Sequence, residues 1–355
     1  MNSKSDYSDS MSSAPSRILV TGSAGYIGSH AAMRLVEDGC TVVGLDDLSR
    51  GHRGTIDPIS AAGAYTFCEG SIGDTDFVEG ILRDHQIDLV MHFAALAYVG
   101  ESVTDPLRYY RVNTGGAVSL IQAVSRAGVE RLVFSSTCAT YGEPPQNCIP
   151  IDEECPQNPI NPYGQSKLMV EHVLRDYTLA CARKTTPFSY AALRYFNVAG
   201  SDPATRLGED HRPETHLIPI CLEVAAGKRE KLFIHGDDYD TPDGTCIRDY
   251  VHVADLVDAH VNVMHMLKGN HEYHFNVGIG TGISVREILE ACREVTGHPI
   301  PAEVGPRREG DPPELYAKAN KIHEQLGWSA KHTDVRSAID HAWKWMQAHP
   351  NGYDD

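Results

Sequence analysis

Three glycines near the start of the chain constrain its fold more than any other feature. The apolar run at 17–21 has no polar alternation, which is typical of a strand buried on both faces. The segment at 26–38 has helical spacing, and Gly22, Gly25 and Gly28 lie at the junction. Gly22 permits a tight turn, Gly25 a close approach of backbone to a pyrophosphate, and Gly28 close helix–strand packing. The junction therefore predicts a dinucleotide phosphate site at a helix N-terminus.

Strand-like runs alternate with helix-like segments over the first half of the chain. Further apolar runs lie at 41–46, 88–93, 131–135 and 189–194, and a long helical segment lies at 106–127. This alternation predicts an α/β fold with a doubly wound parallel sheet, Rossmann-like, covered by helices on both faces. Beyond about residue 196, polar loops separate helical segments at 217–226, 253–266 and 285–295. We predict a disordered tail at 1–15, a dinucleotide-binding domain at 16–196 and a smaller α/β substrate domain at 197–355, whose segments can interleave.

Charge and cysteine content limit the partners. Lys and Arg number 31 against 48 Asp and Glu, a formal net charge of −17, which argues against nucleic acid or an anionic membrane as partner. No stretch approaches the roughly 20 apolar residues of a membrane span. The start lacks the apolar core of a secretory signal, and both Met1 and Met11 remain candidate starts. Nine cysteines without a C-x-x-C pair predict free thiols in a reducing cytoplasm.

Histidine is abundant, but its spacing does not predict a metal site. The close pair His271-x-x-His274 has no cysteine or carboxylate pattern beside it. Structural and catalytic zinc sites are built from such patterns. We therefore predict no bound metal.

Two acidic residues at the end of the second predicted strand indicate the type of dinucleotide. Asp46 lies 24 residues after Gly22, close to the spacing expected for a carboxylate on the adenosine ribose hydroxyls. Asp47 follows at once, and no arginine precedes Arg50 to receive a 2′-phosphate. The pattern favours NAD over NADP. A glycine-rich turn without any cofactor is the alternative.

A tyrosine and a lysine four residues apart suggest proton chemistry. Asn161 and Pro162 suit the N-cap and first position of a helix that places Tyr163 and Lys167 on one face. Lowering a phenol pKa from near 10 by about three units takes roughly 4 kcal/mol, which an ammonium and an oxidised nicotinamide could supply. Such a phenolate could take a proton from an alcohol during hydride transfer. Thr137 offers a hydroxyl to the same alcohol; a surface pair and a turn-capping threonine are the alternatives.

Seven segments in order make a family resemblance specific: TGSAGYIGSH, HFAALAYVGESV, FSSTCATYGEP, NPYGQSKLMVE, LRYFNVAG, DGTCIRDYVHV and PRREGDPPELYA. From about Arg17 onward the chain resembles the extended short-chain dehydrogenase/reductases and, within them, the UDP-sugar 4-epimerases. The resemblance implies an NAD-dependent isomerase of galactose metabolism that interconverts UDP-glucose and UDP-galactose through a transient 4-keto intermediate. It also implies a homodimer built on the helices near 106–127 and 162–181, where Leu168, Val170, Val173 and Leu174 would leave apolar surface.

The resemblance implies roles for particular residues. Tyr163 is the base, Lys167 tunes it and binds the nicotinamide ribose, and Thr137 stands where members often have Ser. The expected cofactor-binding residues are Gly22, Gly25, Tyr26, Ile27, Gly28, Asp46, Asp47, Ser71, Ile72, Phe93, Ala94, Ala95, Tyr163, Lys167 and Phe196. The expected substrate-binding residues are Thr137, Tyr163, Asn197, His216, Leu217, Phe233, Ile234, His235, Arg248, Arg308, Asp311 and Leu315. Among these, 233–235 would flank uracil, the two arginines would pair with the diphosphate, and Asp311 would accept from the ribose.

Departures from the family pattern leave alternatives open. Ser71 replaces an Asp that contacts adenine, and Ala97 replaces a frequent Lys, so the tightness of NAD retention is open. Leu315 has an intermediate size beside the sugar, which leaves UDP-N-acetylhexosamines open, as well as UDP-pentoses and UDP-uronates. A nucleotide-sugar dehydratase or decarboxylase is less favoured, because dehydratases carry an Asp-Glu pair where Cys138 and Ala139 stand here.

Overall fold

The computed structural model describes residues 17–308 and 311–354. The predicted tail and the alternative start sites lie outside this part of the chain. The helices are α1 Tyr26–Glu37, α2 Ile56–Ala62, α3 Thr75–Asp84, α4 Val99–Thr104, α5 Pro106–Tyr109, α6 Gly116–Ala127, α7 Pro162–Arg183, α8 Leu217–Ala225, α9 Val253–Met264, α10 Val285–Thr296, α11 Asn320–Leu326 and α12 Val335–Ala348. The strands are β1 Arg17–Thr21, β2 Thr41–Asp46, β3 Tyr65–Glu69, β4 Leu89–His92, β5 Arg131–Ser135, β6 Ser189–Tyr195, β7 Asn197–Ala199, β8 Leu232–His235, β9 Ile247–Arg248, β10 Tyr250–His252, β11 Glu272–Val277, β12 Ile283–Ser284, β13 Ala302–Gly305 and β14 Glu314–Leu315.

Seven strands form one parallel sheet in the order β11-β6-β5-β4-β1-β2-β3. The strand order reverses beside β1, where one half of the sheet continues into β2 and the other begins with β4. Ligands of open α/β sheets bind outside the carboxyl ends of the strands at such a switch point. The predicted doubly wound, Rossmann-like α/β fold is confirmed.

Two hydrophobic cores cover the two faces of this sheet. One joins the sheet to α1 and α9 through side chains such as Leu35 and Leu256, both fully buried. The other joins it to α3, α6 and α7 through Leu82, Leu120 and Leu174. Strands with both faces covered are continuous apolar runs rather than alternating ones, as β1 shows.

The two predicted segments interleave in space. α9 packs on α1, and β11 pairs with β6 as the last strand of the large sheet. Both α9 and β11 follow residue 196 in the sequence, whereas α1 and β6 precede it. The predicted boundary at residue 196 therefore does not divide the large sheet, which contains strands from both sides of it.

The remaining elements form a smaller layer beside the carboxyl edge of the sheet. α8, α10 and α12 share an apolar core with β8, which pairs in parallel with β13. Two short sheets, β10-β7 and β12-β9-β14, connect this layer to the large sheet. The buried Asp249 between β9 and β10 accepts hydrogen bonds from the backbone of Ile279, Gly280 and Ala317 at 2.8, 2.9 and 3.1 Å. It therefore joins two loops, at 279–280 and at 317, to the segment between β9 and β10.

The predicted helix at 106–127 is a composite. α5 and α6 are joined by a π-helical turn, Tyr110–Gly115. Inside that turn Asn113 is buried and its amide bonds the backbone N–H and C=O of Leu96, at 2.8 and 3.0 Å. Apolar spacing did not reveal this turn, because a polar contact between Asn113 and Leu96 leaves no periodic signal in the sequence.

All nine cysteines are free. Among the residues that the structure describes, no helix combines the length and apolar character that a membrane crossing requires.

Candidate active site

The glycine turn between β1 and α1 has the geometry that a phosphate cradle needs. Gly22 has φ +71°, and a Cβ there would lie 2.6 Å from the backbone N of Ala94. A Cβ on Gly28 would lie 2.0 Å from the carbonyl O of Gly22. A Cβ on Gly25 would meet protein only at 3.4 Å, so its absence leaves room beside the helix N-terminus. α1 has no side-chain N-cap bond, and its first N–H groups, at Tyr26 and Ile27, suit a pyrophosphate.

Asp46 lies at the carboxyl end of β2, beside this turn. Its carboxylate accepts from the backbone N–H of Ala24 at 3.0 Å and of Leu48 at 2.9 Å. Burial raises the pKa of Asp46, and these two bonds oppose the rise. The carboxylate retains lone pairs for ribose hydroxyls. Asp47 is exposed, and its carboxylate accepts from the backbone N–H of Ser49 in a local turn, 3.0 Å away.

The other predicted cofactor residues line the same edge of the sheet. Phe93 and Ala94 follow β4 and donate their backbone N–H groups to the carbonyl of Thr21 at 3.0 and 3.1 Å. Ala95 follows them, and Phe196 follows β6 in a small buried cluster. Ser71 is exposed and accepts from the Gly73 N–H, whereas the Ile72 side chain is buried in the core beneath the sheet. Of the fifteen predicted positions, thirteen lie at or soon after the carboxyl ends of β1, β2, β3, β4 and β6, and the other two, Tyr163 and Lys167, lie on α7.

Tyr163 begins α7 next to the carboxyl end of β5. Asn161 caps the helix by accepting from the Gly164 N–H at 2.8 Å, and Pro162 occupies the first turn, as predicted from the sequence. The phenol ring is buried against Leu96 and Tyr109. Burial raises the pKa of Tyr163 well above its ordinary value, and a hydrogen bond with Thr137 opposes the rise. The acidity expected from the sequence therefore depends on positive charge brought next to the phenol.

Thr137 caps the turn that follows it and also lies beside Tyr163. Its hydroxyl accepts from the Ala139 N–H at 3.1 Å and caps the turn at Cys138–Thr140. The same hydroxyl is a hydrogen-bonding neighbour of the Tyr163 phenol. Thr137 is buried, so two hydroxyls lie together at the end of β5.

Lys167 lies one turn along α7 from Tyr163. Its ammonium donates to the carbonyl of Ser135 at 2.8 Å and stands 5.0 Å from the centroid of the Phe134 ring. Burial lowers the pKa of Lys167 to about 7, and Glu171 opposes that shift. The lysine therefore changes charge near neutral pH, which makes its charge sensitive to its neighbours.

A buried ion pair behind Lys167 was not found by sequence analysis. Arg194 on β6 donates to both carboxylate oxygens of Glu171, at 3.1 and 2.7 Å. Ser136 donates to the same carboxylate, and Arg194 also donates to the Tyr141 hydroxyl at 3.0 Å. Burial would raise the pKa of Glu171, but the hydrogen bond and charge of Arg194 outweigh it and the pKa is lowered. Glu171 continues the four-residue spacing of Tyr163 and Lys167, which is the signal that the sequence carried.

Several of the predicted substrate residues meet on the smaller layer. Arg248 in β9 forms an ion pair with Asp311, and in the sheet Arg248 lies opposite Leu315 of β14. Burial raises the pKa of Cys138 to about 12 and Arg248 opposes that rise, so the guanidinium lies near the turn that carries Thr137. Asn197 donates its backbone N–H to the carbonyl of Asp249 at 2.9 Å. Arg248 and Asp311 were expected to bind different groups of the substrate, and in the structure each is the other's partner.

The predicted uracil segment alternates its side chains. Phe233 is half-exposed and His235 partly buried, whereas the Ile234 side chain points into the core of the smaller layer. Ile234 therefore offers a ligand only its backbone. Arg308 is exposed and its charge acts on His235, so these two side chains are neighbours.

His216 and Leu217 lie where the sequence predicts, at the N-terminus of α8. His216 is the N-cap residue and makes no side-chain cap bond. Its Nδ1 lies 2.8 Å from a carboxylate oxygen of Glu209. The helix N-terminus offers N–H groups to an anion, while the imidazole is held by acids of the preceding loop.

The glycine turn, the carboxylate of Asp46 and the Tyr163–Lys167 pair lie at one edge of the sheet. This arrangement is typical of nicotinamide-dinucleotide enzymes of the short-chain dehydrogenase/reductase type. The family model for the NAD dependent epimerase/dehydratase family matches residues 18–278, and the chain belongs to this family. NAD is accordingly its cofactor, and the open cradle at Gly25 fits that group.

Similar proteins narrow the class further. The chain is 51% identical over 340 residues to UDP-glucose 4-epimerase of Lactobacillus helveticus, covering 96% of this chain and 99% of the relative. It is 48% identical over 337 residues to UDP-glucose 4-epimerase of Halalkalibacterium halodurans, covering 95% and 97%. A crystal structure of UDP-glucose 4-epimerase from Bifidobacterium longum in complex with NAD+ and UDP superposes with a TM-score of 0.90 at 35% identity, covering 95% of this chain and 100% of that one.

Proposed function

We propose that this chain is an NAD-dependent UDP-glucose 4-epimerase, an isomerase that interconverts UDP-glucose and UDP-galactose through a 4-keto intermediate. One observation carries the proposal: the buried hydroxyls of Tyr163 and Thr137 adjoin each other beside Lys167, on the edge of the sheet that also carries the glycine turn. Two relatives that are about half identical over almost the whole chain carry the same activity in their names.

The chain's own residues handle the proton. When bound, NAD supplies a reversible acceptor for the C4 hydride of the sugar. Tyr163 takes the proton of the C4 hydroxyl as a phenolate and gives it back after the sugar has turned over. The Thr137 hydroxyl lies beside that phenol and orients the alcohol. The Lys167 ammonium, one helical turn away, stabilises the phenolate and is placed to bind the nicotinamide ribose.

Tight binding of the nucleotide lets the sugar move. Arg248, Arg308 and the N-terminus of α8 at His216 supply donors for the diphosphate, since guanidinium groups pair well with phosphate. Phe233 and His235 flank uracil, and Asp311 accepts from the ribose. Binding energy from these distant groups anchors the ligand while the reacting ring stays free to present either face.

The turn after Thr137 favours epimerisation over dehydration. Eliminating water from the sugar needs an acid beside the catalytic hydroxyl, and Cys138 and Ala139 occupy those positions. The thiol of Cys138 has a raised pKa, to about 12, because it is buried, so it is a poor proton donor at neutral pH. The residues present thus support proton transfer by Tyr163 alone.

A homodimer belongs to the proposal, with a different surface from the one expected. Leu168, Val170 and Leu174 pack inside the chain and Val173 lies partly buried against the same core. The exposed large apolar residues of this region are Val99, Val103, Leu107, Val118, Met169 and Leu179, on α4, α5, α6 and α7. A second copy covering this surface would give the four-helix arrangement. Leu107→Glu should then convert a dimer into a monomer in sedimentation velocity, whereas Phe77→Glu, on an exposed apolar residue of α3, should not.

The cytoplasm is the proposed compartment. Nine free cysteines, most of them buried, persist as thiols where the environment is reducing. The substrate, a nucleotide sugar, calls for no partner besides NAD and a second copy of the chain.

Product analysis with UDP-glucose, UDP-N-acetylglucosamine and UDP-xylose, assayed side by side on the purified chain, tests the function. We expect UDP-galactose from UDP-glucose as the fastest conversion, without added reductant. Faster conversion of either other sugar would move the assignment to that substrate. Release of a dehydrated sugar would overturn epimerisation. Leu315→Gly is the matched specificity variant: by removing a side chain beside Arg248, it should raise the relative rate with UDP-N-acetylglucosamine.

A further inference from the structure

Four side chains with nitrogen and oxygen ligand atoms converge in the loop before α8. They are Glu209, His211, Glu214 and His216, here called the 209–216 cluster. One ligand atom from each lies within 4.8 Å of all the others. The two glutamates are strongly buried, with side chains 6% and 4% exposed. Two carboxylates held so far from water need two compensating positive charges.

The two imidazoles lie between the two glutamates. The Nδ1 of His211 lies 3.0 Å from Glu209 and 3.7 Å from Glu214, and the Nδ1 of His216 lies 2.8 and 3.2 Å from the same two residues. Both Nδ1 atoms are shielded from solvent, yet neither is in hydrogen-bond geometry with an acceptor in the described structure. Each Nδ1 therefore lies close to oxygens of both glutamates without a well-aligned hydrogen bond to either.

These separations match a coordination shell. Ligands at about 2.0–2.1 Å from a tetrahedral zinc ion lie about 3.3 Å apart. The four nitrogen–oxygen separations span 2.8–3.7 Å around that value. In such a shell each imidazole nitrogen faces the shared centre, which places the oxygens off its axis. We propose that the 209–216 cluster binds one divalent first-row transition-metal ion, such as Zn²⁺.

The donor set suits this class of ion. Imidazole and carboxylate ligands together are typical of Zn²⁺ and its neighbours, whereas Ca²⁺ and Mg²⁺ prefer oxygen alone. Two carboxylates and two neutral imidazoles around a dication have no net charge. Glu214 also accepts from the backbone N–H groups of Thr215 and His216 at 2.6 and 2.7 Å, contacts that orient a ligating carboxylate.

A second histidine cluster provides a control. His252, His332 and His341 also lie close together. There the nitrogens already have partners: His252 Nε2 bonds His341 Nδ1 at 2.9 Å, and His332 Nδ1 bonds the Ser337 hydroxyl at 2.7 Å. We therefore expect one metal ion per chain. The pair His271-x-x-His274 did not predict a metal site; the pattern that carries the ligands is Glu-x-His-x-x-Glu-x-His at 209–216.

The ion would fasten the loop to the start of α8. Coordination through the Nδ1 of His216 leaves its Nε2–H as a fixed donor at the helix N-terminus. There it would face the substrate diphosphate, a consequence that rests on the proposed function. Metal binding itself does not depend on which sugar the enzyme takes, because it is measured without substrate.

Metal content of the purified full chain tests the site. After equilibration with Zn²⁺ and gel filtration, we expect about one Zn²⁺ per chain by mass spectrometry of the metal. Glu209→Gln and His211→Ala should each weaken Zn²⁺ affinity at least 100-fold in competition with a chromophoric chelator. His341→Ala should retain the wild-type content. Binding below a tenth of an equivalent in the wild type, or loss of metal only in His341→Ala, would overturn the proposal.

A spectroscopic variant separates a coordination site from a cluster of protonated imidazoles. His211→Cys supplies another ligand for the metal but removes a base that could hold a proton. With Co²⁺ we expect tetrahedral visible absorption in the wild type and a new thiolate–cobalt band in His211→Cys, with circular dichroism confirming that the variant is folded. A Co²⁺ spectrum equal to that of the free ion in both folded proteins would show that protons, and not a metal, neutralise the glutamates.

Discussion

Glu171 gives the sharpest test of how the site is supported. Its side chain is 3% exposed and that of Arg194 is 5% exposed, and the two share two hydrogen bonds at 2.7 and 3.1 Å. Glu171→Gln keeps the shape but leaves the guanidinium buried without its counter-ion. Breaking a buried pair by removing one partner costs about 3–5 kcal/mol. We expect the free energy of unfolding, measured by urea titration with circular dichroism, to fall by that amount.

Two comparisons make this prediction specific. Glu290→Gln removes an ion pair of similar length, 2.7 Å to Arg293, whose side chains are 62% and 32% exposed. Its cost should stay below about 1 kcal/mol, because exposed ion pairs contribute little. The double variant Glu171→Leu with Arg194→Met removes both buried charges and should recover much of the loss. A loss below about 1 kcal/mol in Glu171→Gln would refute the reasoning, since the pair would then contribute no more than a surface one.

The same variant should change the pH dependence of catalysis. Burial lowers the pKa of Lys167 to about 7, and Glu171 opposes that shift. Removing the negative charge lowers the pKa of Lys167 further. A lysine loses its positive charge as the pH rises through its pKa, so in Glu171→Gln this loss comes at a lower pH. The fall of kcat/KM on the alkaline side should move in that direction, and an unchanged profile would mean that Glu171 does not act on Lys167.

Three further predictions concern the base, the glycine turn and acid stability. Tyr163→Phe should lower epimerisation roughly 10²- to 10⁴-fold while UDP binding, measured by calorimetry, stays near wild type; activity within a factor of three of wild type would remove Tyr163 from the mechanism. Gly28→Ala should disrupt the turn and NAD retention, because its Cβ would lie 2.0 Å from the Gly22 carbonyl O. A Cβ at Gly80 would meet nothing within 4 Å, so Gly80→Ala should keep the turn and the bound NAD; the absorbance of the bound cofactor measures retention in both variants. Folding lowers the pKa of Glu171, so ionised Glu171 stabilises the folded chain above the unfolded pKa of about 4.3, and this stabilisation is lost as the pH falls through the folded pKa. Below about pH 4.3 the urea midpoint should therefore fall more steeply with pH in the wild type than in Glu171→Gln.

The parts of the site that depend on local pattern were predictable from the sequence. Backbone periodicity gave β1, β2, β5 and α1 within a residue or two, since buried parallel strands and amphipathic helices repeat at different spacings. The glycine turn, Asp46 and the Tyr163–Lys167 spacing lie within single motifs. Their placement in space follows once the sheet is parallel, because all its carboxyl ends meet at one edge.

Contacts between distant segments could not be predicted in the same way. Asn113 bonds Leu96 and Ser166, and Asp249 joins loops at 279–280 and 317; neither contact leaves a periodic signal. The edge strand β3 was missed because its residues are only partly buried. Leu168 and Leu174 were expected at the surface, since the sequence shows that α7 is apolar but not which neighbours cover it.

One face of α7 carries the phenol, the ammonium and the carboxylate of the site in sequence. Tyr163, Lys167 and Glu171 follow each other at four-residue spacing, so they stack along the helix from the reacting end inward. The ion pair with Arg194 lowers the pKa of Glu171 and keeps its carboxylate ionised, so the carboxylate does not take a proton from Lys167. Its remaining negative potential opposes the burial that would otherwise strip the lysine of its charge. The ammonium can then act on the phenol, whose burial alone would keep it protonated. In the proposed mechanism, catalysis at Tyr163 therefore depends on an ion pair two helical turns away, because Glu171 supports the positive charge of Lys167 and a positive charge favours the phenolate.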